Sequence, residues 1–352
     1  MMNVLDSYDL RPLNTAEMSR ADFEMAADLL NTLHLEHYTD DPPKSLDYSI
    51  NNLKSLENLQ ETDFRMWFLW DESRAVALVH TDADIDGTNE HALYASVEVH
   101  PEYRRHGLGT ALLGVILKVA EDLQRTLILG ETLGGTPSGA AFMTSLGAAA
   151  GLSGQVNQLV LEDIPRGLLE AWLAKEPQNY TLGLWQGALP EEELEQILTM
   201  MEVMNTAPHD DLNIEDELKT PERWREIEQH DLARGLERWI YYVRHVPSGE
   251  LAGYTEITFN PEEPHNVWQG DTGVLPAHRG HGLGKYLKAS MIRKVQTERP
   301  SIKHIRTGNA DSNAPMLAIN KQLGFKPYLA WTAWQVDVEK VRDFMGARAA
   351  PT

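Results

Sequence analysis

Two short stretches carry residue types and spacings suited to holding a phosphate. Val97 to Leu112 reads VEVHPEYRRHGLGTAL and Thr272 to Leu287 reads TGVLPAHRGHGLGKYL. Val99, Pro101, Arg104, His106, Gly107 and Gly109 fall on Val274, Pro276, Arg279, His281, Gly282 and Gly284 without a gap, 175 residues apart. In each copy a β-branched strand leads through proline and arginine into a glycine loop that opens a helical run. Such a loop gathers unpaired backbone N–H groups and the positive end of a helix dipole at one point. The glycines leave no side chain between those amides and a pyrophosphate, and Arg104 and Arg279 add charge. The candidate phosphate-binding residues are therefore Arg104, Arg105, His106, Gly107, Leu108, Gly109 and Thr110, and Arg279, Gly280, His281, Gly282, Leu283, Gly284 and Lys285.

The same letters exclude two other phosphate loops. Gly280 to Tyr286 is one residue short of the nucleoside-triphosphate pattern and puts tyrosine where a hydroxyl should hold magnesium. The dinucleotide pattern lacks its third glycine, since Gly109 and Gly284 are followed by Thr-Ala-Leu and Lys-Tyr-Leu.

A repeat at half the chain length signals a duplicated domain, and 352 residues suit two domains of ordinary size. Read in order, each half has the element sequence β-α-α-β-β-β-α-β-α-β, an α/β (α+β mixed sheet) architecture with helices on both faces. The boundary is expected in the helical connector Ile164 to Gln178, bounded by prolines, which gives domains 1–165 and 175–352.

Composition sets outer limits. No apolar run approaches the roughly 18 residues that span a bilayer, and the amino terminus lacks a basic segment followed by an apolar one, so a cytoplasmic protein is expected, away from membranes. The absence of cysteine excludes disulfides, thiolate metal sites and a cysteine acyl-enzyme. A net charge of −22 disfavours nucleic acid and favours a cationic small molecule. No metal is expected: His209, Asp210 and Asp211 are consecutive and point apart.

The motif R-x-x-G-x-G after a strand, at Arg104 to Gly109 and Arg279 to Gly284, resembles the acetyl-CoA loop of the GNAT N-acetyltransferases. The order of elements in both halves resembles that fold, and TGNADSNAPMLAINKQLGF (Thr307 to Phe325) is similar to the family's strand-asparagine-helix-Leu-Gly-Phe segment. Two tandem GNAT-type acyl-CoA N-acyltransferase domains resemble the mycothiol synthase type of two-domain acetyltransferase. The resemblance implies acetyl-CoA as cofactor, a small-molecule amine as acceptor and direct attack in a ternary complex. The main chain of Val97 and Val99, or of Thr272 and Val274, would then pair with the pantetheine arm, with Asn309 and Asn313 beside the pantetheine or the thioester.

An alkylammonium presents almost no lone pair at neutral pH, so direct attack needs a base. Glu256 and Asp271 are the candidates, with a water relay as the alternative. The family's helix carries a tyrosine that protonates the departing thiolate; its place is held by Asn320 in the second half and Met143 in the first. Asn320 can donate a hydrogen bond to sulfur and Met143 cannot. Asn309 and Asn313 fall at Thr132 and Thr136 in the first half, where Leu-Gly-Ala also replaces Leu-Gly-Phe. The second domain is accordingly read as catalytic and the first as degenerate. Met204 to Glu217 is expected to wall the acceptor cleft. A CoA-binding sensor or scaffold without turnover, and a peptide or protein N-acetyltransferase, are the alternative functions, and the oligomeric state is expected to be a monomer with an internal pseudo-dimer or a homodimer.

Overall fold

The computed structural model describes residues 4–349. The first half runs β1 (Asp9–Pro12), α1 (Arg20–His37), α2 (Leu46–Glu57), β2 (Thr62–Asp71), β3 (Arg74–Asp84), β4 (Ala92–Val99), α3 (Leu108–Asp122), β5 (Leu127–Leu133), α4 (Pro137–Ser145) and β6 (Ala149–Val160). After a connector helix, α5 (Leu168–Leu173), the second half repeats the order: β7 (Tyr180–Gln186), α6 (Leu194–Met201), α7 (Pro221–Ala233), β8 (Glu237–His245), β9 (Leu251–Phe259), β10 (Asn266–Val274), α8 (Leu283–Glu298), β11 (His304–Ala310), α9 (Ala314–Leu323) and β12 (Lys326–Asp337). A last helix, α10 (Val338–Ala349), closes the described chain.

Local chemistry sets the helix ends. The run beginning at Thr15 becomes helical only at Arg20, because Ser19 and Asp22 form a reciprocal cap: Ser19 Oγ accepts from the Asp22 N–H and the Asp22 carboxylate accepts from the Ser19 N–H at 2.8 Å. From there Phe23, Ala26, Leu29 and Leu33 recur at helical spacing and pack on Met66, Phe68 and Leu78 of one sheet face. On the other face Leu108, Leu112 and Ile116 of α3 pack with Val79, Leu93 and Val341. Full burial of a leucine such as Leu112, which is 0 % exposed, stabilises the fold by about 1.5–3 kcal/mol.

The compact units are not contiguous in the chain. Of the described residues, 4–153, 209–215 and 331–349 form the first unit, and 154–208 and 216–330 form the second. Strands cause the difference from the boundary at the connector. In the first unit β12 pairs antiparallel with β5, Trp331 opposite Leu133 and Asp337 opposite Leu127. In the second, β6 pairs antiparallel with β11, Val160 opposite His304 and Gly154 opposite Ala310. Each unit is thus a six-stranded sheet, β1-β2-β3-β4-β5-β12 or β6-β11-β10-β9-β8-β7, whose sixth strand comes from the other half of the sequence. The segment 209–215, part of the run Met204 to Glu217 expected to wall the acceptor cleft, belongs to the first unit, where Asp211 N–H donates to Gly151 O at 3.0 Å and Glu215 N–H to Asn89 Oδ1 at 2.8 Å.

Candidate acyl-transfer site

The one parallel pair described in each unit is also the pair that separates. β4 and β5 are in register from Ala92 opposite Leu127 to Tyr94 opposite Leu129, and β4 then continues to Val99 without β5. β10 and β11 do the same, pairing from Asn266 to Trp268 before β10 runs on to Val274. Backbone groups beyond the split face a gap. His100 N–H donates to Val76 O on the β3 side, so by strand alternation the N–H and C=O of Val99 and Val97 point into it. Leu275 N–H donates to Ala252 O, which turns Val274 and Thr272 the same way.

At the end of each gap stands the glycine loop. Gly107 and Gly282 hold φ of 85° and 78°, a left-handed conformation that lets the chain turn into α3 and α8. The first backbone bonds of these helices are donated by Ala111 and Tyr286, so the amides of Leu108 to Thr110 and of Leu283 to Lys285 are the unpaired donors of two helix N-termini. Open space lies where a Cβ on Gly107 or Gly282 would project. This fits a pyrophosphate on the amides and a pantetheine arm along the gap. Leu108 and Leu283 anchor the loops in the cores, and His106 and His281 turn Nδ1 back to loop carbonyls, at 3.3 Å to Tyr103 O and 3.0 Å to Arg279 O.

The motif arginines work differently from the sequence expectation. Arg104 Nε donates to Val99 O at 2.9 Å and Arg279 Nε to Val274 O at 3.0 Å, five residues back in each case. The rest of the Arg104 guanidinium forms a bidentate pair with Glu36 on α1, and Arg279 donates to Thr206 Oγ1 at 2.8 Å. That pairing, chiefly through the Arg104 hydrogen bonds, holds the Glu36 carboxyl below its ordinary range. Each arginine therefore pins the corner between strand and loop. Arg105, in the place of Gly280, takes φ of 65° and is exposed at the loop.

The second unit gathers both candidate bases on one sheet face. β9 and β10 slip register between Gln269 and Thr272, so Gly270 and Asp271 stand opposite Glu256 in a β-bulge. A Cβ on Gly270 would press on the Glu256 carboxylate, which would have to shift. Glu256 Oε2 accepts from Arg238 at 2.8 Å and Oε1 from the Asp271 N–H at 3.3 Å. Arg238 also binds Asp231 at 2.6 Å and lies over the Trp224 ring. Arg238 and the Asp271 N–H thus hold the Glu256 side chain in place. Asp271 accepts from the Tyr254 hydroxyl at 3.0 Å. Burial, followed by the Glu256 charge, pushes the Asp271 carboxyl up to about 6, against the opposing pull of Lys219 and the Tyr254 bond. Asp271 is thereby poised to exchange a proton near neutral pH.

Asn320 and Asn309 also meet. Asn320, 2 % exposed on α9, donates from Nδ2 to Asn309 Oδ1 on β11 at 2.7 Å and accepts at Oδ1 from Lys288 Nζ at 3.0 Å. Asn313 caps α9 by accepting from the Met316 N–H. Lys288 is the residue that motif reading overlooks: it is 1 % exposed on α8, and burial lowers its pKa to about 7. Its place in the helical pattern is a usable signal, since Leu287, Met291, Ile292 and Val295 flank it on the buried helix face. Lys285, by contrast, stays near the surface, bonded to Gln322 Oε1 at 2.9 Å over the Trp172 ring.

The chain belongs to the acetyltransferase (GNAT) family, whose profile matches residues 26–147 and 201–325. It is similar to a mycothiol acetyltransferase of Salinispora arenicola (strain CNS-205), 25% identical over 261 residues that cover 72% of this chain and 76% of that protein. Among solved structures, a tandem GNAT protein from the clavulanic acid biosynthesis pathway shares the fold at a TM-score of 0.76 and 24% identity, covering 94% of this chain and 98% of that one. A GCN5-related N-acetyltransferase from Sphaerobacter thermophilus aligns at a TM-score of 0.64 and 17% identity, covering 95% and 96%. Family membership supports acyl transfer as the chemistry. No helix among the described residues is long and apolar enough to cross a membrane.

Proposed function

We propose that the protein is an acetyl-CoA-dependent N-acetyltransferase that acetylates the amine of a small molecule by direct attack in a ternary complex, with the second unit catalytic. The observation that carries this reading is Asp271, raised to about 6 on a bulge beside the strand gap and flanked by Tyr254 and the fixed Glu256. Bound acetyl-CoA supplies an activated thioester. Asp271, ionised above pH 6, accepts the proton that an incoming ammonium must lose before it can attack. Backbone N–H groups of Thr272 and Val274 face the gap, where they can stabilise negative charge developing on a carbonyl oxygen. Asn320, oriented by Lys288, presents amide N–H groups on the side of Asn309. The net charge of −22 supports a cationic acceptor.

The test is product analysis by mass spectrometry after incubation with acetyl-CoA and a panel of small amines. The expected result is an acetylated amine formed only with enzyme. Acetylation confined to a peptide panel would assign the acceptor to the peptide class, and binding of acetyl-CoA without any acetylated product would assign the chain to CoA sensing.

A further inference from the structure

The first unit holds an open cavity of about 1120 Å³ lined by two kinds of polar group. Gly107 to Thr110 line it with the unpaired amides of the α3 N-terminus. His80, Glu98 and Glu131 line it as well, with Arg104 and Glu36. The first three of these share one sheet face: His80 is opposite Ser96 across β3 and β4, Tyr94 is level with Leu129 across β4 and β5, and side chains alternate along each strand. Leu212 and Ile214, from the segment docked on this unit, also line the cavity.

The acidic lining is chemically incomplete. His80 is held neutral by burial, and its Nδ1 is buried with no hydrogen-bond partner. Burial raises the Glu98 carboxyl, with Glu36 adding to the effect and Ser96 and Arg104 opposing it. Glu131 reaches solvent at the cavity and is raised by desolvation, and no cation pairs with it among the described residues. A buried acceptor-capable ring nitrogen and two carboxyls without a dedicated counter-ion favour a ligand that brings its own positive charge and donors.

We propose that this cavity is a second acyl-transfer site, taking acyl-CoA at the loop amides and an organic amine with a further hydrogen-bond donor at the acidic residues. The inference rests on the acyl-transfer reading of the family. It reverses the expectation that the first unit is degenerate, which came from comparing aligned positions around α4. The acids here sit elsewhere: Ser96 aligns with Asp271 and Glu98 with Gly273, while His80, by its pairing register without a bulge, holds the place that Glu256 holds in the second unit. In the step itself the ammonium gives one proton to the Glu98 carboxylate, and its nitrogen bonds to the thioester carbonyl carbon. The C–S bond then breaks, and the second proton of the nitrogen ends on the departing sulfur, leaving an amide and the free thiol of CoA.

The experiment uses the full chain and three variants: Gly282→Glu to disable the second loop, Asp271→Asn to disable the second base, and either one combined with Glu98→Gln. Calorimetry with CoA should give two equivalents bound to wild type and one to Gly282→Glu. With a panel of polar amines, each single variant should retain thiol release for at least one amine, and adding Glu98→Gln should cut that release about tenfold or more while CoA stoichiometry stays fixed. Calorimetric amine binding to the CoA-loaded Gly282→Glu protein should weaken in parallel. Should Gly282→Glu not fold, Asp271→Asn gives the same reading with both loops intact. Active wild type with no residual release in either variant overturns the second site alone. Wild type that binds CoA but releases thiol with no amine overturns the proposed function as well.

Discussion

Tyr254 donates its hydroxyl to Asp271 Oδ2 across 3.0 Å, and Glu256 accepts from the backbone N–H of the same aspartate at 3.3 Å. The two contacts act in opposite directions on one proton. The Tyr254 bond favours the carboxylate, whereas the neighbouring Glu256 charge favours the acid. In wild type, kcat/KM should rise with pH through an apparent pKa of about 6 as Asp271 ionises. Tyr254→Phe removes the stabilising bond and should move that limb to higher pH. A limb that stays in place, measured over pH 5 to 9 on the order of half-unit steps, contradicts the assignment.

Glu256→Gln separates a base from a fixed neighbour. Loss of the charge should shift the same limb to lower pH while leaving substantial turnover, because Arg238 already occupies one Glu256 oxygen. Stability should fall by about 2–4 kcal/mol, since Arg238 is 17% exposed and keeps only Asp231 as an ionic partner. Denaturant melts and pH-rate profiles on the same preparation check both halves of the statement. Turnover abolished by Glu256→Gln, where Asp271→Asn leaves it substantial, would make Glu256 the base.

Lys288→Met should stabilise the protein. The folded-state pKa of Lys288 lies near 7, below its ordinary 10.5, so the unfolded chain binds this proton more tightly. Its burden on stability is absent above pH 10.5, grows as pH falls through that window and is complete below about 7. The gain from Met should therefore amount to a few kcal/mol at pH 7 and shrink toward pH 10. Thermal melts across that range test it. Because Lys288 holds Asn320 Oδ1, kcat should also fall while the affinity for CoA holds.

Arg104→Lys and Arg279→Lys keep the charge and lose the fork. Because each guanidinium pins its loop to Val99 O or Val274 O, each substitution should weaken CoA at its own loop about five- to tenfold. Titration calorimetry reads this directly. Unchanged affinity would mean that only the positive charge matters.

Much of this is legible in the letters. The aligned Pro101 and Pro276, with Gly107 and Gly282, mark the strand-loop-helix corner because proline and left-handed glycine have local conformational requirements. Strand partnership is different. Nothing in the alternation of β6 or β12 encodes that Val160 lies opposite His304 and Asp337 opposite Leu127, since main-chain pairing is blind to side-chain identity. Asp271 is legible as a candidate, but the bulge that sets it against Glu256 depends on a register slip visible only in three dimensions. The partners of Arg104 escape for the same reason: Glu36 is 68 residues away. α10, to which sequence patterning assigns no element, packs Val341 into the first core as a helix after β12 has paired with β5.

The central claim is that Asp271 takes the amine proton in an acyl transfer performed by the second unit. Amine-dependent thiol release from acetyl-CoA should be measured in wild type and Asp271→Asn, each with its CoA affinity determined on the same sample. CoA affinity should be unchanged, and release should fall about a hundredfold for an amine served by the second unit. Equal release by the two proteins for every amine, at equal affinity, would contradict it.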